Sequence, residues 1–413
     1  MNLETFKNKT ILLFGKPRAF SEDEFSSQLK QHKISITKEL REDVDTILEG
    51  RVISPYEQNL SDELYETGNY TFIKIDAFEK ALAKEIDDDV LLMSLKLAND
   101  KERLKNFIKN ACVRDALFFK LLKMYKWSGE DFFENDDNRD VTAALIGRFY
   151  ENIERNHNVQ YATTGLIHLS LQTQNEALLE AISELEPIQL HPKLNIILAK
   201  HSKTPQKVLK RFLRTGNKEV LEAMTTNAEL NKEIAKELIK DADLAKNIAQ
   251  TIKLDAELFE KLSEYKKYLA YNGSLNGAMQ EELFMLEDDE VNLSLAQNSN
   301  IDKSIVQALL ELKDESLTQA LYANPAVEVA ILTEAYQDEK NHLSLSRNAN
   351  TPKDILEKLY QLGESNILEN LARNENTPIE ILYQLQLESR FERAVKTNEA
   401  FGRYIQGENI GWL

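Results

Sequence analysis

The sequence contains a single cysteine, Cys112, and is short of turn-forming residues, with only 13 glycines and 8 prolines in 413 residues. One cysteine cannot form an internal disulfide, and it cannot supply the several thiolates of a Cys-ligated zinc or iron–sulfur site. The shortage of glycine and proline argues against long linkers. These absences favour a chain of regular elements joined by short connections.

Long hydrophobic runs are missing too. No apolar stretch approaches the roughly 18 to 20 residues that a membrane-spanning helix needs. The opening "MNLETFKNKTILLFGK" lacks the basic region and apolar core of a secretory signal. We therefore expect a cytoplasmic protein that does not use a membrane as a partner.

Basic residues are fewer than acidic ones, 51 Lys and Arg against 69 Asp and Glu, which gives a formal net charge of −18. This balance repels nucleic acid and anionic membranes, although a local basic patch can override it.

Catalytic motifs are absent as well. The sequence has no G-x-S-x-G, no P-loop and no H-E-x-x-H. The histidines are scattered without the spacing of metal ligands: His32, His157, His168, His191, His201 and His342. We expect no catalytic residues, no metal and no cofactor. An enzyme with an unrecognised site stays a third hypothesis, which requires a deep pocket with converging acids or histidines.

What the sequence does contain is a repeat. "LSRNANTPKDIL" and "LARNENTPIEIL" lie 26 residues apart and place an Asn before the same Thr-Pro pair. The Asn position recurs in steps of about 24 to 26 residues, with one shorter step of about 19, so that roughly nine repeats cover residues 190–413. The position is held by Asn227, Asn272, Asn298, Asn324, Asn348, Asn374 and Asn398, and by His201 and Lys253 in two further copies.

Each repeat predicts two helices around a turn. Thr377, Pro378 and Glu380 suggest a helix N-cap, first helical residue and capping-box acid, and Thr351, Pro352 and Asp354 repeat the pattern. One repeat cannot bury its apolar stripe alone, so stacking predicts an α-solenoid. A row of amides can bond the turns of adjacent repeats or remain exposed for a ligand. The structural role is favoured, because the position also accepts His201 and Lys253.

These repeats resemble the leucine-rich repeat variant family, whose units read approximately "VA-x-N-P-N-T-P-x-x-L-L-x-x-L". The resemblance covers about half of the chain and is strongest over residues 290–390. It implies alternating short and long helices in a curved superhelix. The iron–sulfur cluster of the founding members cannot be transferred, since this sequence has no cysteine cluster.

Residues 1–85 predict a small α/β domain in the order β-α-β-β-α-β-α, with about four strands that are parallel at least in part. This order, Gly15 in "LLFGKPRAFS" and the strand "VDTILEG" resemble a BRCT domain. The usual Gly-Gly is His32-Lys33 here, and Phe78 replaces the usual Trp. A response-regulator-like or Rossmann-like half-domain is the alternative fold.

A phosphate site of the BRCT type is not well supported by the sequence. Phosphopeptide-binding members use a Ser or Thr by the first turn and a Lys on the second helix, where this chain has Phe14 or Lys16 and Glu57 with Gln58. Lys16 and Arg18 remain a candidate anion site beside a helix N-terminus. Two solvated loop charges are the favoured interpretation.

Residues 86–189 predict a helical region that connects the first domain to the repeats and caps them. Two basic runs stand out, one within 101–126 and one that forms a candidate basic strip. The strip is expected to share one helix face and consists of Lys203, Lys207, Lys210, Arg211 and Arg214. A solvated face is the favoured interpretation, and tracking of nucleic-acid phosphates is the functional alternative.

Together these patterns predict an α+β multidomain protein, with a BRCT-like domain at 1–85, a helical connection at 86–189 and an α-solenoid at 190–413. The expected function is a non-enzymatic scaffold or adaptor that binds a protein partner through the solenoid face. The BRCT resemblance implies a DNA repair or replication context. The alternative is a helical-repeat protein that binds nucleic acid through its basic helix faces.

Overall fold

The computed structural model describes residues 1–127, 135–150, 162–189 and 191–407. Contacts divide the chain once, between Val208 and Leu209, into two compact units. This division lies inside a helix. We call residues 1–208 the N-terminal unit and residues 209–413 the C-terminal unit.

The N-terminal unit begins with a four-stranded, all-parallel sheet. The strands are β1 (Thr10–Phe14), β2 (Ser35–Thr37), β3 (Val44–Glu49) and β4 (Thr71–Lys74), in the spatial order β2-β1-β3-β4. Leu12 pairs with Thr37 on one side and with Ile47 on the other. The helices between the strands are α1 (Glu22–Gln31), α2 (Pro55–Thr67) and α3 (Ile75–Glu85). The element order is the one that the sequence predicts.

Local sequence explains where these helices start and stop. Ser21 caps α1 by accepting the Glu24 N–H at 3.3 Å. Ser54 and Glu57 form a capping box at the start of α2, with Pro55 as its first residue. Gly68 ends α2 with φ of +68°, a left-handed conformation that costs glycine little.

The two faces of the sheet have different neighbours. Leu12, Phe14 and Ile47 pack with Leu64 of α2 in a small cluster. The opposite face packs with α1 and α3 in a larger cluster, which continues without a break into the following helices as far as Leu194. The same buried cluster therefore runs past residues 85 and 189.

The remaining helices of this unit follow the sheet. They are α4 (Asp88–Ala98), α5 (Lys101–Lys109), α6 (Asp115–Met124), α7 (Asp136–Phe149), α8 (Ala162–Gln172), α9 (Glu176–Glu184), α10 (Glu186–Gln189), α11 (Pro192–Lys200) and α12 (Gln206–Thr215), which crosses the division. The ring of Phe107 on α5 lies 6.2 Å from that of Phe20. Arg103 Nε donates to Glu24 Oε2 at 2.8 Å. These contacts fix α5 against the α/β layer.

The C-terminal unit is helical throughout its described residues. Its helices are α13 (Lys218–Met224), α14 (Lys232–Leu238), α15 (Ala242–Thr251), α16 (Ala256–Lys261), α17 (Lys266–Ala270), α18 (Gly277–Phe284), α19 (Asp289–Ala296), α20 (Lys303–Glu311), α21 (Glu315–Ala323), α22 (Val329–Ala335), α23 (His342–Arg347), α24 (Lys353–Gln361), α25 (Ser365–Arg373), α26 (Ile379–Gln386), α27 (Ser389–Lys396) and α28 (Glu399–Gly407). From α15 to α27, each odd-numbered helix packs against the next odd-numbered one. We call these the first helices of the repeats.

The predicted capping boxes of the repeats are wrong. Helix α26 begins at Ile379, one residue later than expected, and Pro378 holds the N-cap position without a side-chain cap. The buried Thr377 hydroxyl instead donates to the carbonyl of Leu371, near the end of the preceding helix, at 2.8 Å. Thr351, Pro352 and Leu345 repeat this arrangement. The last carbonyls of a helix lack intrahelical donors, so a buried hydroxyl is best used there.

Candidate functional site

The candidate anion residues Lys16 and Arg18 both have acidic partners. Lys16 Nζ lies 3.3 Å from Glu22, and Arg18 donates to Asp76 at 2.8 Å. Both pairs are exposed, as expected of solvated loop charges.

The backbone of the same loop is also occupied. Glu79 of α3 is fully buried and accepts the N–H groups of Arg18, Ala19 and Phe20 at 2.9, 2.9 and 3.2 Å. Burial raises the pKa of its carboxyl above the ordinary 4.5, although these N–H groups act in the opposite direction. Glu57 accepts the Gly15 N–H at 3.0 Å. The chain's own carboxylates therefore hold the donors that an external anion would need.

The basic run within 101–126 is largely used between helices. Lys105 of α5 contacts Asp137 of α7 at 2.8 Å, and Lys120 of α6 contacts Asp88 at 2.9 Å. The two lysines Lys101 and Lys105 lower the pKa of Asp137 to about 2. These charges join helices of the N-terminal unit.

Four of the five residues of the candidate basic strip, at 207, 210, 211 and 214, lie on α12 at intervals that place them on one helix face. Lys203 precedes α12, and Arg211 is half-buried with its guanidinium 5.6 Å from the Phe212 ring centre. Lys207 pairs with Glu180 and Glu184 of α9. In the part of the chain that the structure describes, Lys203, Lys210 and Arg214 have no ion-pair partner.

The repeated asparagines form a buried ladder. Asn348 is representative: its Nδ2 donates to the carbonyls of Tyr322 and Asn324, and its Oδ1 accepts the N–H of Asn350. From Asn272 onward, each Nδ2 in the row reaches two carbonyls of the preceding repeat at 2.7–3.1 Å. All seven asparagines are almost completely buried: Asn227, Asn272, Asn298, Asn324, Asn348, Asn374 and Asn398. Their amides are thus unavailable to a ligand.

The two other residues at this position differ. His201 Nδ1 accepts the Lys203 N–H at 3.1 Å, as the asparagine Oδ1 does, and its ring bonds the Thr173 backbone. Burial lowers the pKa of His201 below the ordinary 6.5. Lys253 is exposed, and its side chain makes no hydrogen bond within the described residues.

Sequence reasoning missed a groove on the face of the first helices. Its volume is about 560 Å³. The middle helix, α21, contributes Ser316, Gln319, Ala320 and Ala323, and we call the depression the α21 groove. Its other lining residues are Tyr271, Leu293, Gln297, Ser299, Asn324, Pro325, Lys340, Leu343, Ser344 and Arg347.

The groove follows from small side chains at two repeat positions. Immediately before the ladder asparagine, α21 has Ala323, whereas Gln297 follows α19 and Arg347 ends α23. Four residues before the asparagine, Ala320 of α21 is flanked by Ser294 of α19 and Ser344 of α23, which are also small. Alignment of the repeats by their asparagines would have revealed this local loss of side-chain volume.

Two unpaired cations border the α21 groove. Arg373 has the same repeat position as Arg347 and pairs with Glu369, four residues earlier, at 2.8 Å. The residue four before Arg347 is Leu343, so this pairing is absent. Within the described residues neither Arg347 nor Lys340 has an ion-pair partner, and the lining contains no acid. The lining itself therefore carries two positive side chains and no negative one.

Comparison of the sequence and structure with protein-family models, curated proteins and solved structures found no match. In the ranges that the structure describes, no three His, Cys, Asp or Glu side chains could together hold a metal ion. The same ranges contain no helix that is long and apolar enough to span a membrane.

Proposed function

We propose that this protein is a non-enzymatic adaptor whose repeats stack as an α-solenoid and bind a protein partner through the face of the first helices. The α21 groove is the observation that carries this proposal. It combines apolar surface from Leu293 and Leu343 with exposed amides, hydroxyls and two unpaired cations. Such a mixture supplies both buried area and directional contacts in protein interfaces.

The buried ladder supports a structural use of the repeats. Because its amides are consumed between neighbouring repeats, recognition is left to the exposed side chains of the first helices. These side chains vary from repeat to repeat, while the ladder is constant from Asn272 to Asn398, as expected of a constant scaffold with a variable surface.

The N-terminal α/β layer suggests the cellular process in which the adaptor acts. Its element order, on which the BRCT resemblance rests, is present in the structure. By analogy this favours an adaptor in DNA repair or replication. The occupied amides of the Gly15–Phe20 loop favour recognition by the repeats over phosphate capture by that layer.

The adaptor function is tested by a pull-down with the full chain from a lysate of the source cells, with and without nuclease. A Gln319→Trp variant fills the groove from an exposed position on α21. Gln307→Trp, at an exposed position on the neighbouring α20, is the matched control. We expect a near-stoichiometric protein that survives nuclease and is lost only with Gln319→Trp. The proposal is contradicted if recovery of the partner vanishes with nuclease, or if Gln319→Trp recovers as much partner as the unchanged chain.

Binding of nucleic acid is the second candidate, supported by the unpaired Lys203, Lys210 and Arg214. It predicts affinity for an oligonucleotide that falls steeply as salt rises. Charge reversal at Lys210 and Arg214 would then weaken binding and reduce the salt dependence, whereas reversal at the paired Lys207 would have a smaller effect.

A further inference from the structure

We infer that the α21 groove binds an extended, acidic peptide segment of the partner. This inference rests on the adaptor function proposed above and adds the chemistry of what is bound. It follows from the charge of the groove, from its hydrogen-bonding groups and from its length.

The charge identifies the side chains of the ligand. Arg347 offers a planar guanidinium that can bind a carboxylate through two parallel hydrogen bonds, and Lys340 offers a second cation. Neither is neutralised by the described residues, and no lining residue is acidic. Lys340 lies two residues before α23 begins, and Arg347 is the last residue of α23, so both cations border the groove from the same repeat. Acidic side chains on one bound peptide can pair with these two cations.

The hydrogen-bonding groups identify the conformation of the ligand. Gln297, Ser299, Ser316 and Gln319 line the groove with amides and hydroxyls. An extended backbone has free N–H and C=O groups that need such partners, whereas a helix satisfies most of its own. Gln319 uses its amide N–H toward Glu315 at 3.1 Å, and its carbonyl is oriented by that bond. The groove therefore suits an extended chain better than a helix.

The size of the groove limits the length of the segment. It crosses from α19 over α21 to α23, which is two helix spacings of about 8–10 Å each. An extended chain advances about 3.3 Å per residue, so about five or six residues fill this distance.

The surrounding charges argue against a nucleic acid in the same place. Outside the groove lining, the first helices carry Glu290 on α19, Glu315 on α21 and Glu369 on α25. A polyanion needs a continuous row of cations, and its phosphates would meet these carboxylates. A short peptide has few charges, so its one or two acids can pair with the two cations without lying against these carboxylates.

The test is selection of a phage-displayed random heptapeptide library on the immobilised full chain. A selected peptide is then synthesised with a fluorescent label, and its affinity is measured by anisotropy. We expect enrichment of Asp and Glu, and about a tenfold loss of affinity for Arg347→Ala because a charge-assisted pair is removed. Arg347→Glu should shift the selection toward Lys and Arg.

Two further variants separate this inference from a general effect of charge. Arg373→Ala removes the arginine at the same position of the next repeat, outside the groove, and should leave affinity unchanged. Leu343→Glu removes no cation but places a carboxylate four residues before Arg347, where Arg373 has Glu369. This variant should weaken acidic peptides at least as much as Arg347→Ala. Circular dichroism of each variant checks that the fold is retained.

Several results would overturn the inference: no selected peptide, peptides without acidic enrichment, equal binding to Arg347→Ala, or an oligonucleotide that competes for the same residues. If a protein partner is lost with Gln319→Trp but retained with Arg347→Ala, the adaptor function is supported and only the inference of an acidic peptide is contradicted. If the pull-down recovers no protein partner, the proposed adaptor function itself is contradicted.

Discussion

At the scale of single residues, the ladder asparagines satisfy several backbone groups with one short side chain. Asn348 donates twice and accepts once, and it is fully buried. An amide has a donor end and an acceptor end, which a hydroxyl or a carboxylate of similar length does not combine in the same way. From Asn272 to Asn398 this position therefore requires a side chain that can both donate and accept hydrogen bonds, and its role is structural.

We expect Asn348→Ala to lower the free energy of unfolding by about 3 kcal/mol, since three buried hydrogen bonds of about 1 kcal/mol each are lost. Chemical denaturation followed by circular dichroism measures the change. Asn366→Ala, at an exposed position one repeat later, serves as the control and should change stability by less than about 0.5 kcal/mol. Equal effects at the two sites would contradict the ladder's role.

His201 makes the start of the repeats sensitive to acid. Its pKa is lowered by burial, so the folded state disfavours its protonation. Between that lowered pKa and 6.5 the unfolded chain binds more protons. Stability from this residue is therefore complete above pH 6.5 and is lost as the pH falls below it. We expect His201→Asn to remove this part of the pH dependence in denaturation curves between pH 5 and 8. A variant that keeps the full slope would show that another group causes it.

The sequence predicts the ladder well but not the occupied loop. The asparagines recur at a nearly fixed step, so their shared role is visible without a structure. Glu79 lies about 60 residues from the N–H groups that it accepts, and no local pattern marks this contact. Sequence reasoning could identify Lys16 and Arg18 as charged, but not that the neighbouring amides were already taken.

At the scale of helices, the Thr-Pro pair closes one helix as well as opening the next. The Thr377 hydroxyl satisfies a carbonyl of α25, while Pro378 sets the direction in which α26 begins. The sequence pattern resembles a capping box because both motifs place a hydroxyl before a first-turn acid. Only the direction of the hydroxyl distinguishes them, and that depends on burial.

Two substitutions separate these roles. Thr377→Val keeps the shape but leaves the Leu371 carbonyl without its donor, so we expect a loss of about 1–2 kcal/mol. Glu380→Ala would break a capping box but is expected to cost less than about 0.5 kcal/mol, mainly through the helix dipole. Chemical denaturation measures the free energy of unfolding of both variants. A larger loss at Glu380 than at Thr377 would support the capping box instead.

At the scale of the whole molecule, the α/β layer and the helices after it share one buried cluster. Phe25 and Phe78 belong to the same buried cluster as Phe107 and Leu121. The sequence suggested a boundary near residue 85 because strands stop there. A change of secondary structure does not have to coincide with the edge of a core, and apolar periodicity does not reveal which helices share one.

We expect a fragment of residues 1–85 to unfold without a cooperative transition and to bind a hydrophobic dye, since it exposes the α1 and α3 surface that α4–α6 cover. A fragment of residues 1–208 should unfold cooperatively. Thermal denaturation and dye fluorescence distinguish the two fragments. A sharp transition for residues 1–85 would show that the α/β layer is an independent domain.

The ladder also has a direction. From Asn272 to Asn398, every Nδ2 donates to residues that come earlier in the chain. During translation, the carbonyls therefore leave the ribosome before the amide that binds them. Each new repeat can complete its ladder hydrogen bonds on a surface that already exists, and none of these ladder bonds has to wait for residues still to be made. Chains stalled on the ribosome after successive asparagines should gain protection from protease one repeat at a time, in the order of synthesis.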